Sequence, residues 1–391
     1  MSLIQCVKRR FGITVLKNMF CAKMNPIMVI LGTRPEAIKL APVILQLKAS
    51  GLPAVICVTA QHRGMLDQAL AVFDIKPDID LDLMRCDQSL TAFAAKALTA
   101  IDVQLDTIKP RMVLVHGDTT TALCAALAAF HRHIPVGHVE AGLRTGLIRN
   151  PWPEEANRIM IDRLATLHFA PTMANLVNLR QESLVNNHVT GNTIVDAVRL
   201  AKAKIDLNPP EITKWAHFHE PLVLVTSHRR ENFGDGLANI CKAVRQLATV
   251  FLPKFHFVYS VHQNPNVENV VEGFNWPANV HLFKPFDYLS FLALMGQATL
   301  ILTDSGGVQE EASCLGKRTI VMRTTTERFE LVESGAVRLT GTDPQMIVSE
   351  ACRQLQHVAT TFPVSPYGDG HAAEKVVEAI QHFYAETDLP N

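Results

Sequence analysis

Short apolar runs recur along this chain, each followed by a loop and a stretch of helical periodicity, and this alternation restricts the fold more than any other feature. Met28–Leu31, Ala54–Val58, Met112–His116, Leu167–Ala170 and His188–Thr190 read as strands. Glu36–Lys48, Leu66–Phe73, Leu90–Ile108 and Thr121–Arg132 read as helices. Strands and helices in this rhythm build parallel sheets through right-handed β-α-β crossovers. The rhythm pauses over a polar, proline-containing stretch, Asp206–Glu220, which fits a linker, and restarts at Leu222–Thr226. Further strands are predicted at His256–Val261, Val280–Phe283, Thr299–Thr303 and Thr319–Met322, and a last helix at Ala372–Tyr384. The fold class is α/β, with two Rossmann-like doubly wound domains over 25–204 and 205–365 and a terminal segment over 366–391. Residues 1–24, with Lys8, Arg9, Arg10, Lys17 and Lys23 and no acidic residue, read as an N-terminal extension or as a basic amphipathic arm or targeting segment.

A chain of 391 residues that is 48% hydrophobic can bury two cores. Lys+Arg and Asp+Glu both number 37, which argues against a dedicated nucleic-acid binder and leaves room for a local basic pocket. The eight cysteines are scattered without a Cys-x-x-Cys pair, as expected for reduced thiols in the cytoplasm and not for a structural zinc site. No apolar run approaches the roughly 18 residues of a membrane span. No metal-ligand cluster or dinucleotide glycine signature occurs, so neither metal nor redox cofactor is implied.

Chemistry-bearing residues gather where strands end, and open α/β sheets place their ligands there. Glu140 closes the apolar run Ile134–Val139; Gly142, Gly146, Pro151 and Pro153 then break regular structure before a helical pattern starts at Glu154. Glu154 and Glu155 either serve the site or merely complement a helix dipole. Asp304-Ser305-Gly306-Gly307 follows a strand and opens a helix, so a diphosphate can approach free N–H groups, with Glu311 placed to accept ribose hydroxyls. The alternative is an ordinary tight turn. Arg323–Glu330 adds Arg328, suited to an oxyanion, unless it is a solvated turn with a surface ion pair. His228-Arg229-Arg230, at another strand end, suits a phosphate contact. Gly32–Lys39 is a further strand-to-helix junction, with Arg34 toward the ligand and Lys39 one turn into the helix. In His116–Thr121, Asp118 is either functional or simply the cap of a Thr-rich helix.

These segments, with Gln61-His62-Arg63, Thr190–Thr193, Thr325–Arg328 and Pro366–Gly370, resemble the non-hydrolysing UDP-N-acetylglucosamine 2-epimerases, in order and from about Met28 to the last helix. The resemblance implies two domains of the glycosyltransferase-B type facing across a cleft. The first is the sugar domain, the second the UDP-binding domain, and the last helix crosses back to the first. It also implies a homodimer and interconversion of UDP-N-acetylglucosamine with UDP-N-acetylmannosamine for surface-polysaccharide synthesis. The hydrogen on carbon 2 is not acidic, and the family is understood to expel UDP, form 2-acetamidoglucal, and re-add UDP with protonation from the other face. Two faces need at least two acid/base groups.

By resemblance Asp118, Glu140 and Glu154 are the acid/base candidates, with Lys39 near the sugar and His228 at the diphosphate. Arg34, Arg144, Phe291, Ser305, Gly306, Gly307, Glu311 and Arg328 would bind the substrate. Gln46, Arg63, Arg229 and His262 match segments that form an activating site for a second UDP-N-acetylglucosamine. Phe329 and Ser313-Cys314 depart from the family pattern and are expected to alter loop stiffness alone. Rival readings are a 2-epimerase of a modified sugar such as a UDP-diacetamido-uronic acid, a hydrolysing 2-epimerase, a glycosyltransferase of the same architecture, and a nucleotide-sugar sensor without activity.

Overall fold

A strand covered by helices on both faces has no solvent side, so its side chains cannot alternate and its sequence becomes a continuous apolar run. Ile27–Leu31 (β1) and Met112–His116 (β4) are of this kind, with all five residues of each buried. The computed structural model describes residues 25–59, 63–85, 88–215, 221–356 and 365–387. The expected extension over 1–24 and the Gln61-His62 pair lie outside these residues.

Two compact units divide the chain, one running through Ala197 and resuming at Gly368, the other Val198–Tyr367. The division falls inside the helix Thr193–Leu207, a few residues before the expected boundary at 204/205. In the first unit Ala54–Val58 (β2), Ile79–Asp80 (β3), Val136–Val139 (β5), Leu167–Ala170 (β6) and Asn187–Val189 (β7) complete a sheet of order β3-β2-β1-β4-β5-β6-β7. In the second, Leu222–Ser227 (β8), His256–Val261 (β9), Val280–Phe283 (β10), Ala298–Thr303 (β11), Thr319–Val321 (β12) and Val337–Leu339 (β13) take the order β10-β9-β8-β11-β12-β13. Every pairing is parallel. Each unit is Rossmann-like, and the fold class is the two-domain α/β one that the strand rhythm predicts.

The order of each sheet reverses once, between β1 and β4 and between β8 and β11. That reversal opens a crevice at the carboxyl ends of the two central strands, where doubly wound sheets bind ligands. Gly32–Lys39 and His116–Thr121 leave β1 and β4; His228–Asn232 and Asp304–Glu311 leave β8 and β11. All four motifs thus stand at a switch point.

Two features depart from the strand and helix expectations. The stretch predicted as a linker contains a short helix, Glu211–Trp215, begun after Pro209-Pro210. Strands β3 and β13 have two and three residues, too few for a periodic signal to stand out.

The last helix, Ala372–Thr387, belongs to the first unit. Asp196, buried in the helix Thr193–Leu207, accepts the N–H groups of Ala372 at 3.1 Å and Ala373 at 3.0 Å, supplying its first turn with an acceptor and a negative charge. Farther along, the Tyr384 hydroxyl donates to the Arg111 carbonyl at 2.6 Å, and the Arg111 guanidinium carbon sits 3.2 Å from the Tyr384 ring centroid. Asp196→Ala is expected to destabilise the first unit by about 1–2 kcal/mol through loss of this cap. Urea unfolding of the full chain, followed by a probe in the first unit, checks the value.

Candidate active site

The loop after β1 is organised by a carboxylate that sequence reading passed over. Glu36, 1% exposed, accepts N–H groups of Gly32 at 2.9 Å and Thr33 at 2.7 Å, the Thr33 hydroxyl at 2.8 Å and the Thr119 hydroxyl at 2.7 Å. Burial raises the Glu36 carboxyl above its ordinary range, against the hydrogen bonds from Thr119, Gly32 and Thr33. The Thr-x-x-Glu spacing of a capping box was the available signal. Gly32 is required here because a Cβ would run into the Thr59 and Thr121 hydroxyls, which bond each other at 2.9 Å.

One turn into the helix Arg34–Ala49, the buried Lys39 ammonium donates to Glu140. Glu140 follows β5 with φ +69°, a left-handed conformation uncommon for a residue with a side chain and typical of strained functional positions. Its N–H and that of Ala141 both donate to the Phe169 carbonyl at 3.1 Å, which holds the turn. His116, the last residue of β4 and buried, brings Nε2 to 3.4 Å from the Glu140 carboxylate.

Asp118 does not cap the following helix. Thr119 does, its hydroxyl accepting the Ala122 N–H at 3.0 Å, which leaves the Asp118 side chain to accept from Arg158. Asn157 holds the Asp118 carbonyl at 2.8 Å. Glu154 is half-buried at the start of the helix Glu154–Leu164. Its neighbour Glu155 does more than complement the dipole: fully buried, it accepts N–H groups of Thr145 at 2.9 Å and Gly146 at 3.1 Å and meets Arg158 at 3.1 Å. The first unit therefore brings Lys39 to Glu140, and the helix bearing Glu154 to Asp118. Arg34 is half-buried at the start of its helix. Arg144 pairs with Asp162 at 2.8 Å and Glu182 at 2.7 Å, bracing the loop after Glu140.

In the second unit a fully buried carboxylate again joins two loops. Asp304 accepts N–H groups of His228 and Arg229 at 3.0 Å and the Asn232 amide at 3.0 Å, tying the end of β11 to the end of β8. The His228 ring, one-third exposed, lies 5.4 Å from the exposed His262 ring between centroids. Ser305 is the N-cap of the helix Gly306–Cys314 without a side-chain cap bond. A Cβ on Gly306 would lie 2.6 Å from Arg328 Nη1, so only glycine lets the guanidinium lie against the helix start. Gly307 faces open space, and Glu311 is buried one turn on.

Arg323–Glu330 is not a solvated turn. Arg328 bonds Glu310 at 2.8 Å and also Glu327, and Arg323 bonds Glu231 at 2.6 Å and Glu327 at 3.3 Å. Burial opposes charge on Glu327, but Arg328, Arg323 and Arg229 outweigh it and hold the carboxyl well below the ordinary range. Phe291 lies in the helix Tyr288–Gln297, half-buried against the core beside β8 and β11.

Of the four activating-site candidates, Gln46 is half-buried and Arg63 opens the helix Arg63–Val72, its side chain outside the described residues. Arg229 Nε is buried without a hydrogen-bond partner. Among the described residues no cluster of three or more His, Cys, Asp and Glu could hold a metal ion, and no helix is long and apolar enough to cross a membrane.

The family model described as UDP-N-acetylglucosamine 2-epimerase matches residues 46–381. UDP-N-acetylglucosamine 2-epimerase of Escherichia coli K12 is 47% identical over 370 residues, covering 91% of this chain and 98% of its own length. The crystal structure of UDP-GlcNAc 2-epimerase from Neisseria meningitidis bound to UDP-GlcNAc superposes with a TM-score of 0.85 at 42% identity, over 91% of this chain and 100% of that one. The S. aureus MnaA–UDP co-structure gives 0.85 at 40% identity, over 93% and 97%. With the family model matching over 46–381 and relatives at 40–47% identity covering more than nine-tenths of the chain, the chain belongs to the UDP-N-acetylglucosamine 2-epimerase family.

Proposed function

We propose that the protein interconverts UDP-N-acetylglucosamine and UDP-N-acetylmannosamine by elimination and re-addition of UDP. The observation that carries this reading is the pair of carboxylates Asp118 and Glu140 at the ends of adjacent strands β4 and β5, each held by a cation, Arg158 and Lys39. A base takes the proton from carbon 2 while the bond from carbon 1 to the diphosphate oxygen breaks, leaving a double bond between carbons 1 and 2 and UDP as leaving group. The reverse step adds a proton to carbon 2 from the other face and re-forms the bond to UDP. Asp118, Glu140 and Glu154 supply the proton-transfer groups, and Lys39 steadies the charge of Glu140. His228, Ser305, Gly306 and Arg328 take the diphosphate on N–H groups and positive charge, and Glu311 takes the ribose. Arg34, Arg144, Phe291 and Gly307 complete the substrate contacts.

The same reading gives a homodimeric cytoplasmic enzyme feeding polysaccharide synthesis. It is supported by over-half-exposed Val103 and Phe130 on adjacent helices, and by buried thiols such as Cys57, which burial pushes up to about 12 and keeps inert. An activating site that includes Gln46, Arg63, Arg229 and His262 is supported by the unpartnered Arg229 Nε, a donor suited to a second nucleotide sugar. Activation predicts a sigmoidal rate curve for UDP-N-acetylglucosamine and a reverse reaction that needs a trace of it. A hyperbolic curve with an unresponsive reverse reaction would remove this site.

Proton NMR in deuterium oxide is the direct test: UDP-N-acetylmannosamine should grow in with deuterium at carbon 2. Free N-acetylmannosamine would indicate hydrolysis, and an inert substrate would indicate a modified sugar. Asp118→Asn, Glu140→Gln and Glu154→Gln should each lower kcat by roughly 10²–10⁴-fold while UDP still binds; an undiminished rate excludes that residue. Gly306→Ala, by displacing Arg328, should weaken UDP by about 10-fold or more, the scale of one charge-assisted hydrogen bond, as read by calorimetry.

A further inference from the structure

Two of the carboxylates assigned to proton transfer, Asp118 and Glu140, stand on separate loops, and one buried pair of side chains ties those loops together. His138, in the middle of β5 and wholly buried, places Nε2 2.7 Å from the carbonyl oxygen of Gly117, the residue before Asp118. Its Nδ1 lies 2.5 Å from Asp162 Oδ1. The other oxygen of Asp162, itself wholly buried in the helix Glu154–Leu164, accepts the Gly142 N–H at 3.2 Å and lies 2.8 Å from Arg144 Nη1. Gly142 and Arg144 belong to the loop that follows Glu140. A path of hydrogen bonds thus joins the Asp118 loop to the Glu140 loop without passing through solvent.

The chemistry of the path is definite. A carbonyl oxygen can only accept, so Nε2 carries a hydrogen, and the contact of Nδ1 with the carboxylate is favourable only with a proton between them. Burial by itself would raise the Asp162 carboxyl, but the charge and hydrogen bond of His138 and the charge of Arg144 hold it below the ordinary range. Buried ionic pairs add little net stability compared with apolar side chains of the same volume. Geometry is what this pair supplies.

We propose that His138 and Asp162 are positioning residues for the epimerisation: together they hold the loop bearing Asp118 and the loop bearing Glu140 in register. Proton removal and proton return at carbon 2 are then done by groups that cannot drift apart. This rests on the roles given to Asp118 and Glu140 above.

The test uses the full chain with His138→Gln, Asp162→Asn and the double variant. Glutamine can donate at one end but cannot span both contacts. Each single variant should lose about 10²-fold in kcat, the scale of a misplacement of about 1 Å, with KM and UDP affinity within about twofold of the parent. In deuterium oxide each should release more 2-acetamidoglucal and UDP per epimer formed, because an intermediate that meets a misplaced acid escapes. The double variant should be no worse than the poorer single one, as for groups acting as a unit. Parent-level turnover in His138→Gln, fully additive losses, an unchanged product ratio, or loss of cooperative unfolding in both single variants would each overturn the proposal. Asp118→Asn and Glu140→Gln run alongside. If they retain full turnover, the functional reading fails and takes this inference with it; if they are inactive while His138→Gln is not, this inference fails alone.

Discussion

Carboxylates withdrawn from water and filled by backbone N–H groups fix the loops on which this protein depends. Glu36 takes two such groups at the end of β1, Glu155 two in the loop beyond β5, Asp304 two at the end of β8, and Asp196 two at the start of the last helix. A parallel sheet buried on both faces leaves only its strand ends for polar chemistry, and loops there must otherwise solvate their own amides. A buried carboxylate meets that demand, its charged hydrogen bonds working against the desolvation of its charge. Removing one would leave several N–H groups without acceptors, so these carboxylates and their loops form cooperative units.

The same constraint explains how much could be read from the sequence. Strands with four continuous apolar residues, such as those at 28–31 and 112–115, stood out because double-sided burial removes alternation. The switch-point motifs were legible because glycine, proline and charge cluster where those runs stop. What stayed hidden is which acidic residue at a strand end faces a ligand and which faces the backbone. Glu154 and Glu155 are adjacent, yet Glu155 is closed around Thr145, Gly146 and Arg158 while Glu154 is half-buried at the helix start. Asp304 reads as the first residue of an anion loop and is instead the tie between two strands. Outside a capping box such as Thr33-x-x-Glu36, a backbone N–H partner has no side-chain signature, so no residue pattern reports it.

Exposure then separates the two kinds of carboxylate on physical grounds. The side chains of Asp162 and Asp304 have no exposed surface, whereas Asp118 keeps 25% and Glu140 10%. A group that exchanges a proton with a substrate must present a lone pair to it, and cannot have every acceptor position filled by fixed donors. Asp118 and Glu140 meet this condition, each with a cation on one side, Arg158 or Lys39, and part of the carboxylate exposed. Glu140 adds a left-handed backbone, a conformation that persists only where its surroundings over-determine it. Here the surroundings are the shared Phe169 carbonyl, Lys39 and the Gly142–Asp162 contact, so the strain is confined to one residue while the loops on either side are held by their own buried acids. In the first unit Glu36, Glu155 and Asp162 are closed off from water and spend their oxygens on fixed donors, whereas Asp118 and Glu140 keep the exposed surface that the proposed proton transfers require.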